Sequence, residues 1–204
     1  MRTTTLRGLC AALLLILASP SWGIVLTLEP AAQVSATGGT VFLDLTVSGL
    51  AAGAAPSLGA YDIDLGYDSG VLTLMDIVFG TGLNDPLDPD TPLFQSASAV
   101  PGSINLAEVS LLVDAVGDPA PLDAWQPGSF VIATLEFFVD ILEPGSSTMV
   151  TIDDFLLGDG FGDAFVDVSS DNALIYNPSG VPEPMTGTLF LLGIGLIALA
   201  RRLR

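Results

Sequence analysis

Carboxylates supply most of the reactive side chains in this 204-residue sequence, which has 23 Asp and Glu. Asp62 with Asp64, Asp153 with Asp154, and Asp159 with Asp163 are of the residue type that glycoside hydrolysis uses, two carboxyl groups held at different pKa. These pairs have no helpers. The sequence contains no His and a single Cys, Cys10, which falls in an N-terminal apolar run. Thiol and imidazole nucleophiles, Cys/His zinc sites and a Ser-His-Asp triad are thereby excluded from the rest of the chain. Among so many acids pairs arise by chance, and they read more simply as solvated strand faces and loops, so no catalytic residue is assigned and the expectation is a non-enzyme.

Two binding chemistries remain. Ca²⁺ takes clustered carboxylate and carbonyl oxygens, and Asn84-Asp85-Pro86-Leu87-Asp88-Pro89-Asp90 stiffens three carboxylates with prolines. Asp85, Asp88 and Asp90 are therefore the candidate ligands of a structural Ca²⁺, the one cofactor considered. Asp159-Gly160-Phe161-Gly162-Asp163 is a second acidic loop. Neither follows the EF-hand order, so a solvated loop is the competing reading of both. Sugar binding uses aromatic faces. Trp125, in Asp123-Ala124-Trp125-Gln126-Pro127, is the candidate platform; the alternative is a plug over one end of the fold.

Charge position narrows the partners further. The net charge is −18, there is no Lys, and the five Arg are Arg2, Arg7, Arg201, Arg202 and Arg204. Nothing between Gly8 and Ala200 is positive, so a nucleic-acid or anionic-membrane surface, which requires clustered cations, is excluded. At 50% hydrophobic and 14% charged residues the chain is too apolar for a disordered acidic one. Its 22 Gly and 14 Pro imply frequent turns within one folded domain between two terminal tags.

The first tag is Met1 to Gly23. Arg2 and Arg7 precede an apolar run, Gly8 to Ala18, followed by Ser19-Pro20-Ser21-Trp22-Gly23, the order of a secretory signal peptide. Small residues three and one before Ile24 suit a signal peptidase, so cleavage is expected between Gly23 and Ile24. Cys10 and Trp22 leave with it. The second tag is a transmembrane helix at 185–200 with a basic cytoplasmic tail at 201–204. From Thr186 to Ala200 it reaches about 22 Å at about 1.5 Å per residue, short of the roughly 30 Å hydrocarbon core, so spanning requires snorkelling arginines and local thinning. Basic residues at both ends face the cytoplasm, which puts the acidic middle outside.

Between domain and helix lies a linker, 177–184, that ends in Val181-Pro182-Glu183-Pro184. Its prolines fix φ and remove donors, which gives an extended, readable segment. Val-Pro-Glu-Pro, a short apolar helix and the cluster Arg201, Arg202, Arg204 together resemble the PEP-CTERM sorting signal of Gram-negative bacteria over Val181 to Arg204. The resemblance implies recognition of Val181, Pro182, Glu183 and Pro184 by an exosortase and transient anchoring in the inner membrane. Release to the outer surface or matrix would follow, and such proteins are associated with exopolysaccharide and biofilm.

The domain, 24–176, alternates with period two. Val41, Leu43, Leu45 and Val47 share one face, and Tyr61, Ile63, Leu65 and Tyr67 another, as half-buried strands do. In Ser129 to Val139 the inward series reads Val131, Ala133, Leu135, Phe137 and Val139. Further strands are expected at Ile24 to Leu28, Val71 to Phe79, Ser103 to Val113 and Thr148 to Leu156, with a closing one near Ala164 to Val168 or Ala173 to Tyr176. Turns at Asp68-Ser69-Gly70, Pro101-Gly102 and Glu143-Pro144-Gly145 separate them. No long amphipathic helix intervenes, so the expected fold is an all-β antiparallel sandwich.

Gly39 to Leu50, Leu58 to Leu72, Phe79 to Leu83, Gly102 to Ile104 and Gly128 to Leu135 resemble a cohesin domain over most of Ile24 to Tyr176. The resemblance implies a jelly-roll sandwich of about nine strands, related to carbohydrate-binding modules, with dockerins bound on one sheet face by the best-known members. Those contacts depend on surface residues that these segments do not settle, so none is carried over. The expectation is an exported, non-enzymatic matrix or surface protein. Its domain binds either a polysaccharide or a protein ligand.

Overall fold

The computed structural model describes residues 23–84, 93–112 and 121–178, and within them the chain forms two packed β-sheets. Eleven strands follow in order: β1 Ile24–Glu29, β2 Ala32–Val34, β3 Thr40–Ser48, β4 Leu58–Tyr67, β5 Leu72–Phe79, β6 Leu93–Val100, β7 Ser103–Ser110, β8 Ser129–Val139, β9 Ser147–Asp159, β10 Val168–Asp171 and β11 Ala173–Tyr176. One sheet has five strands in the order β10-β1-β3-β8-β5, the other six in the order β2-β11-β9-β4-β7-β6. A single 3-10 turn, Pro121–Ala124, precedes β8.

Alternation places the core. Val41, Leu43, Leu45 and Val47 of β3 meet Ile63 and Leu65 of β4 in one buried apolar cluster, all without solvent exposure. The Tyr67 and Phe137 rings, from opposite sheets, touch edge to face at 5.2 Å. Tyr61 lies on the core face as the period requires, and Tyr67 packs against it half-buried.

The turns follow their residues. Asp68 Oδ1 accepts from Gly70 N at 2.9 Å, and the Asp68 carbonyl accepts from Leu72 N at 2.8 Å, as the chain crosses from one sheet to the other. Gly102 closes the two-residue turn of the β6–β7 hairpin at φ 91°, a conformation that L side chains avoid.

Several expectations need correction. Among the described residues there are eleven strands where about nine were expected, and pairing is not wholly antiparallel, because β1 pairs parallel with β10 and β11 parallel with β2. Of the two closing segments, Ala173–Tyr176 is a strand as expected, whereas Ala164 to Val168 is not: β10 begins only at Val168 and runs on to Asp171, and Ala164 makes an isolated bridge to Gly158. β6 gave no signal because Leu-Phe-Gln-Ser-Ala-Ser-Ala-Val is an exposed edge strand with no apolar face to bury.

In β8 the inward series breaks. Ala133, Leu135, Phe137 and Val139 are buried, but pairing jumps from Leu45↔Ala133 to Thr46↔Val131, which leaves Ile132 unopposed. This bulge reverses the alternation, so Ile132 enters the core and Val131 turns outward.

Candidate functional site

The outer face of the six-stranded sheet is built by register. Phe94 of β6, Val109 of β7, Ala60 of β4 and Gly158 of β9 form one cross-strand row. Ser96, Ala107, Asp62 and Leu156 form the next, and Ser98, Asn105, Asp64 and Asp154 a third. Phe94 is 61% exposed and Leu156 64%, which is high for large apolar side chains in adjacent rows. Between them Ala60, Ala107, Val109 and Gly158 line a shallow depression of about 290 Å³.

The acids beside it are organised by one amide. Asn105 Nδ2 donates to Asp62 Oδ1 at 2.6 Å and to Asp64 Oδ1 at 2.9 Å. Asp154 stands opposite Asp64, and Asp153 accepts from Thr151 Oγ1 at 2.7 Å. Asp159 is committed to its own loop, where Oδ1 accepts from the backbone N–H groups of Phe161 and Asp163, each at 2.9 Å. Among the described residues no three Asp or Glu side chains gather in a metal-holding group.

Beneath this face lies a residue that periodicity did not single out. Glu108 is 1% exposed; its Oε2 accepts from Tyr61 Oη at 2.7 Å and its Oε1 from Gln95 Nε2 at 2.9 Å. Burial raises the Glu108 pKa above the ordinary carboxylate range, while the hydrogen bonds from Tyr61 and Gln95 oppose the shift. Burial and then the Glu108 charge also raise the Tyr61 phenol. Both Glu108 oxygens have a partner, so this buried carboxyl is a structural knot between β4, β6 and β7.

Trp125 is positioned by two polar neighbours. Gln126 Oε1 accepts from Leu58 N at 2.6 Å, while its Nε2 donates to the carbonyls of Leu58 at 2.9 Å and Gly82 at 3.0 Å. Asp123 Oδ1 accepts from Ser57 N at 3.0 Å. These bonds staple the segment to the start of β4 and to the loop after β5, and they place Trp125, half-buried, in the wall of a cleft on the five-stranded sheet. Gln126, itself 1% exposed, carries a buried edge of the sandwich.

Gly23 is exposed and Ile24 begins β1, its N–H donating to the Asp167 carbonyl at 3.1 Å. At the far end Asn177 Nδ2 donates to the Leu142 carbonyl at 2.7 Å, which ties the first linker residue to the loop between β8 and β9. Asp85, Asp88, Asp90, Val181, Pro182, Glu183, Pro184, Arg201, Arg202 and Arg204 lie outside the described residues, as do the signal and transmembrane segments.

No protein-family model matches the chain, and no curated protein matches it. Solved structures do. The sixth cohesin of scaffoldin B from Acetivibrio cellulolyticus, crystallised in complex with a Cel5 dockerin mutant, is similar with a TM-score of 0.59 at 16% identity, over 76% of this chain and 99% of that one. CaCohA2 from Clostridium acetobutylicum gives 0.56 at 19% identity, over 78% and 94%. A non-cellulosomal cohesin from the archaeon Archaeoglobus fulgidus gives 0.51 at 15% identity, over 77% and 92%. What is shared at these identities is the fold, so the two-sheet sandwich is cohesin-like.

Proposed function

We propose that the protein is an exported, non-enzymatic binding protein whose cohesin-like domain takes a protein ligand on the outer face of its six-stranded sheet. The observation that carries this reading is the exposed apolar patch of Phe94, Val109 and Leu156 in two adjacent rows, with the Asp62 carboxylate in the Leu156 row and Asp64 and Asp154 in the next. An apolar patch bordered by charge is the surface a protein partner covers. Dockerin complexes of similar folds support a protein ligand of this kind.

Export and sorting complete the reading. Signal peptidase would release the chain after Gly23, and an exosortase would act at Val181 to Pro184, delivering the domain to the outer surface or an exopolysaccharide matrix. The test is capture of a defined partner from extracellular matrix by the native protein and by Val109→Arg and Leu156→Arg variants of unchanged melting temperature. Capture by the native protein, lost in both variants and insensitive to added sugars, is expected. Equal capture by all three proteins, or none by the native one, overturns it.

A further inference from the structure

We propose that the cleft on the opposite sheet is a second site, one that takes a neutral saccharide. Its floor is the outer face of the five-stranded sheet, where Val78, Thr134 and Asp44 form one cross-strand row and the bulge in β8 turns Val131 outward. Its walls are Trp125 and Phe130, and it encloses about 500 Å³, within the range of about 300–1,000 Å³ of small-ligand pockets.

The glycines after β5 make the walls possible. Gly80 lies against the Val131 carbonyl and Gly82 against the Phe130 ring, so closely that any Cβ would collide. The loop is thereby pressed onto the start of β8, with Gly80 N donating to the Ile132 carbonyl at 2.7 Å.

The polar groups select the ligand. Thr134 Oγ1 donates to Asp44 Oδ1 at 2.6 Å, which leaves the second carboxylate oxygen free to accept. Trp125 Nε1 and Asn84 Oδ1, both buried in the walls, have no hydrogen-bond partner. A sugar hydroxyl donates, so it satisfies the free Asp44 oxygen at the floor of the cleft. Aromatic walls suit the apolar face of a sugar ring. Asp44 in the floor and Glu136 and Asp76 in the next cross-strand row repel anions, and the described residues contain no Lys, Arg or His. Uronic-acid and sulfated polymers are therefore excluded.

The experiment uses the full chain carrying Trp22→Phe, so that Trp125 is the sole indole and its emission reports the cleft. Cellohexaose, maltohexaose and chitohexaose are titrated to about 10 mM, above the millimolar affinity of a modest site, with polygalacturonate as the anionic comparator. A saturable change with at least one neutral sugar and none with polygalacturonate is expected. Affinity read by calorimetry should fall about tenfold in Asp44→Ala and in Trp125→Ala, while Val109→Arg on the other sheet binds as the parent does. Melting curves confirm that each variant is folded, and Asp44→Asn, which keeps an acceptor for Thr134, serves if Asp44→Ala is not. Silence toward all three neutral sugars, equal response to polygalacturonate, unchanged affinity in the folded cleft variants, or loss in Val109→Arg overturns the proposal. Loss of protein capture in Val109→Arg with sugar binding intact separates the two sites.

Discussion

At Glu108 the fold holds a carboxyl between two neutral donors, Tyr61 and Gln95, with only 1% of it exposed. Desolvation outweighs those hydrogen bonds and keeps the proton on at pH values where an ordinary carboxylate has lost it. The unfolded chain releases that proton at the ordinary value. The stabilisation is therefore complete below the unfolded pKa and is lost as pH rises through the interval up to the folded one. Glu108→Gln removes this loss, so its melting temperature relative to the native protein should rise as the pH is taken up through and above the ordinary carboxylate range. A difference that stays flat or falls across the series would show that Glu108 is ionised in the fold. Glu108→Ala instead strands the phenol and the amide, and chemical denaturation should show a loss of about 1–3 kcal/mol.

Among the elements, β8 decides both core and cleft. A strict period of two puts Val131 inside and Ile132 outside, whereas the bulge opposite Leu45 and Thr46 exchanges them. Ile132→Ala should therefore cost about 2–5 kcal/mol in urea unfolding, as a buried aliphatic does. Val131→Ala, on the outer face, should cost well under half as much. The reverse order would restore the unbulged register. The loop after β5 makes a parallel prediction. Gly82→Ala drives a Cβ into the Phe130 ring, and such overpacking should cost about 1–3 kcal/mol and shift the emission of the neighbouring Trp125.

For the whole molecule, electrostatics is one-signed, because every acid lies between Glu29 and Glu183 and every cation outside that span. Self-repulsion works against the compact state and salt screens it. The melting temperature should therefore climb as NaCl is raised from about 10 mM to about 500 mM, where the screening length drops from about 30 Å to a few ångströms. A flat or falling curve would show that repulsion is not felt. Processing at both tags would remove all five arginines. Intact mass of the extracellular protein is expected to begin at Ile24 and to lack Arg204, and a product that retains Arg204 would contradict the sorting proposal.

The sequence by itself determined the sandwich, its main core strands and the chemistry it could not perform. Strong alternation in β3 and β4 and the inventory of thiols, imidazoles and cations are local properties. The bulge, the edge strand β6, the burial of Glu108 and the staple through Gln126 were not legible, because each arises from what another strand or loop presents opposite it. Trp125 shows the division most clearly. As a letter in a turn it read more readily as a plug than as a platform, and only the meeting of the Trp125 to Phe130 stretch with Asp44 and Asn84, from distant parts of the chain, made it the wall of a cleft. Long-range packing chooses which side chains face one another, and facing side chains are what a ligand reads.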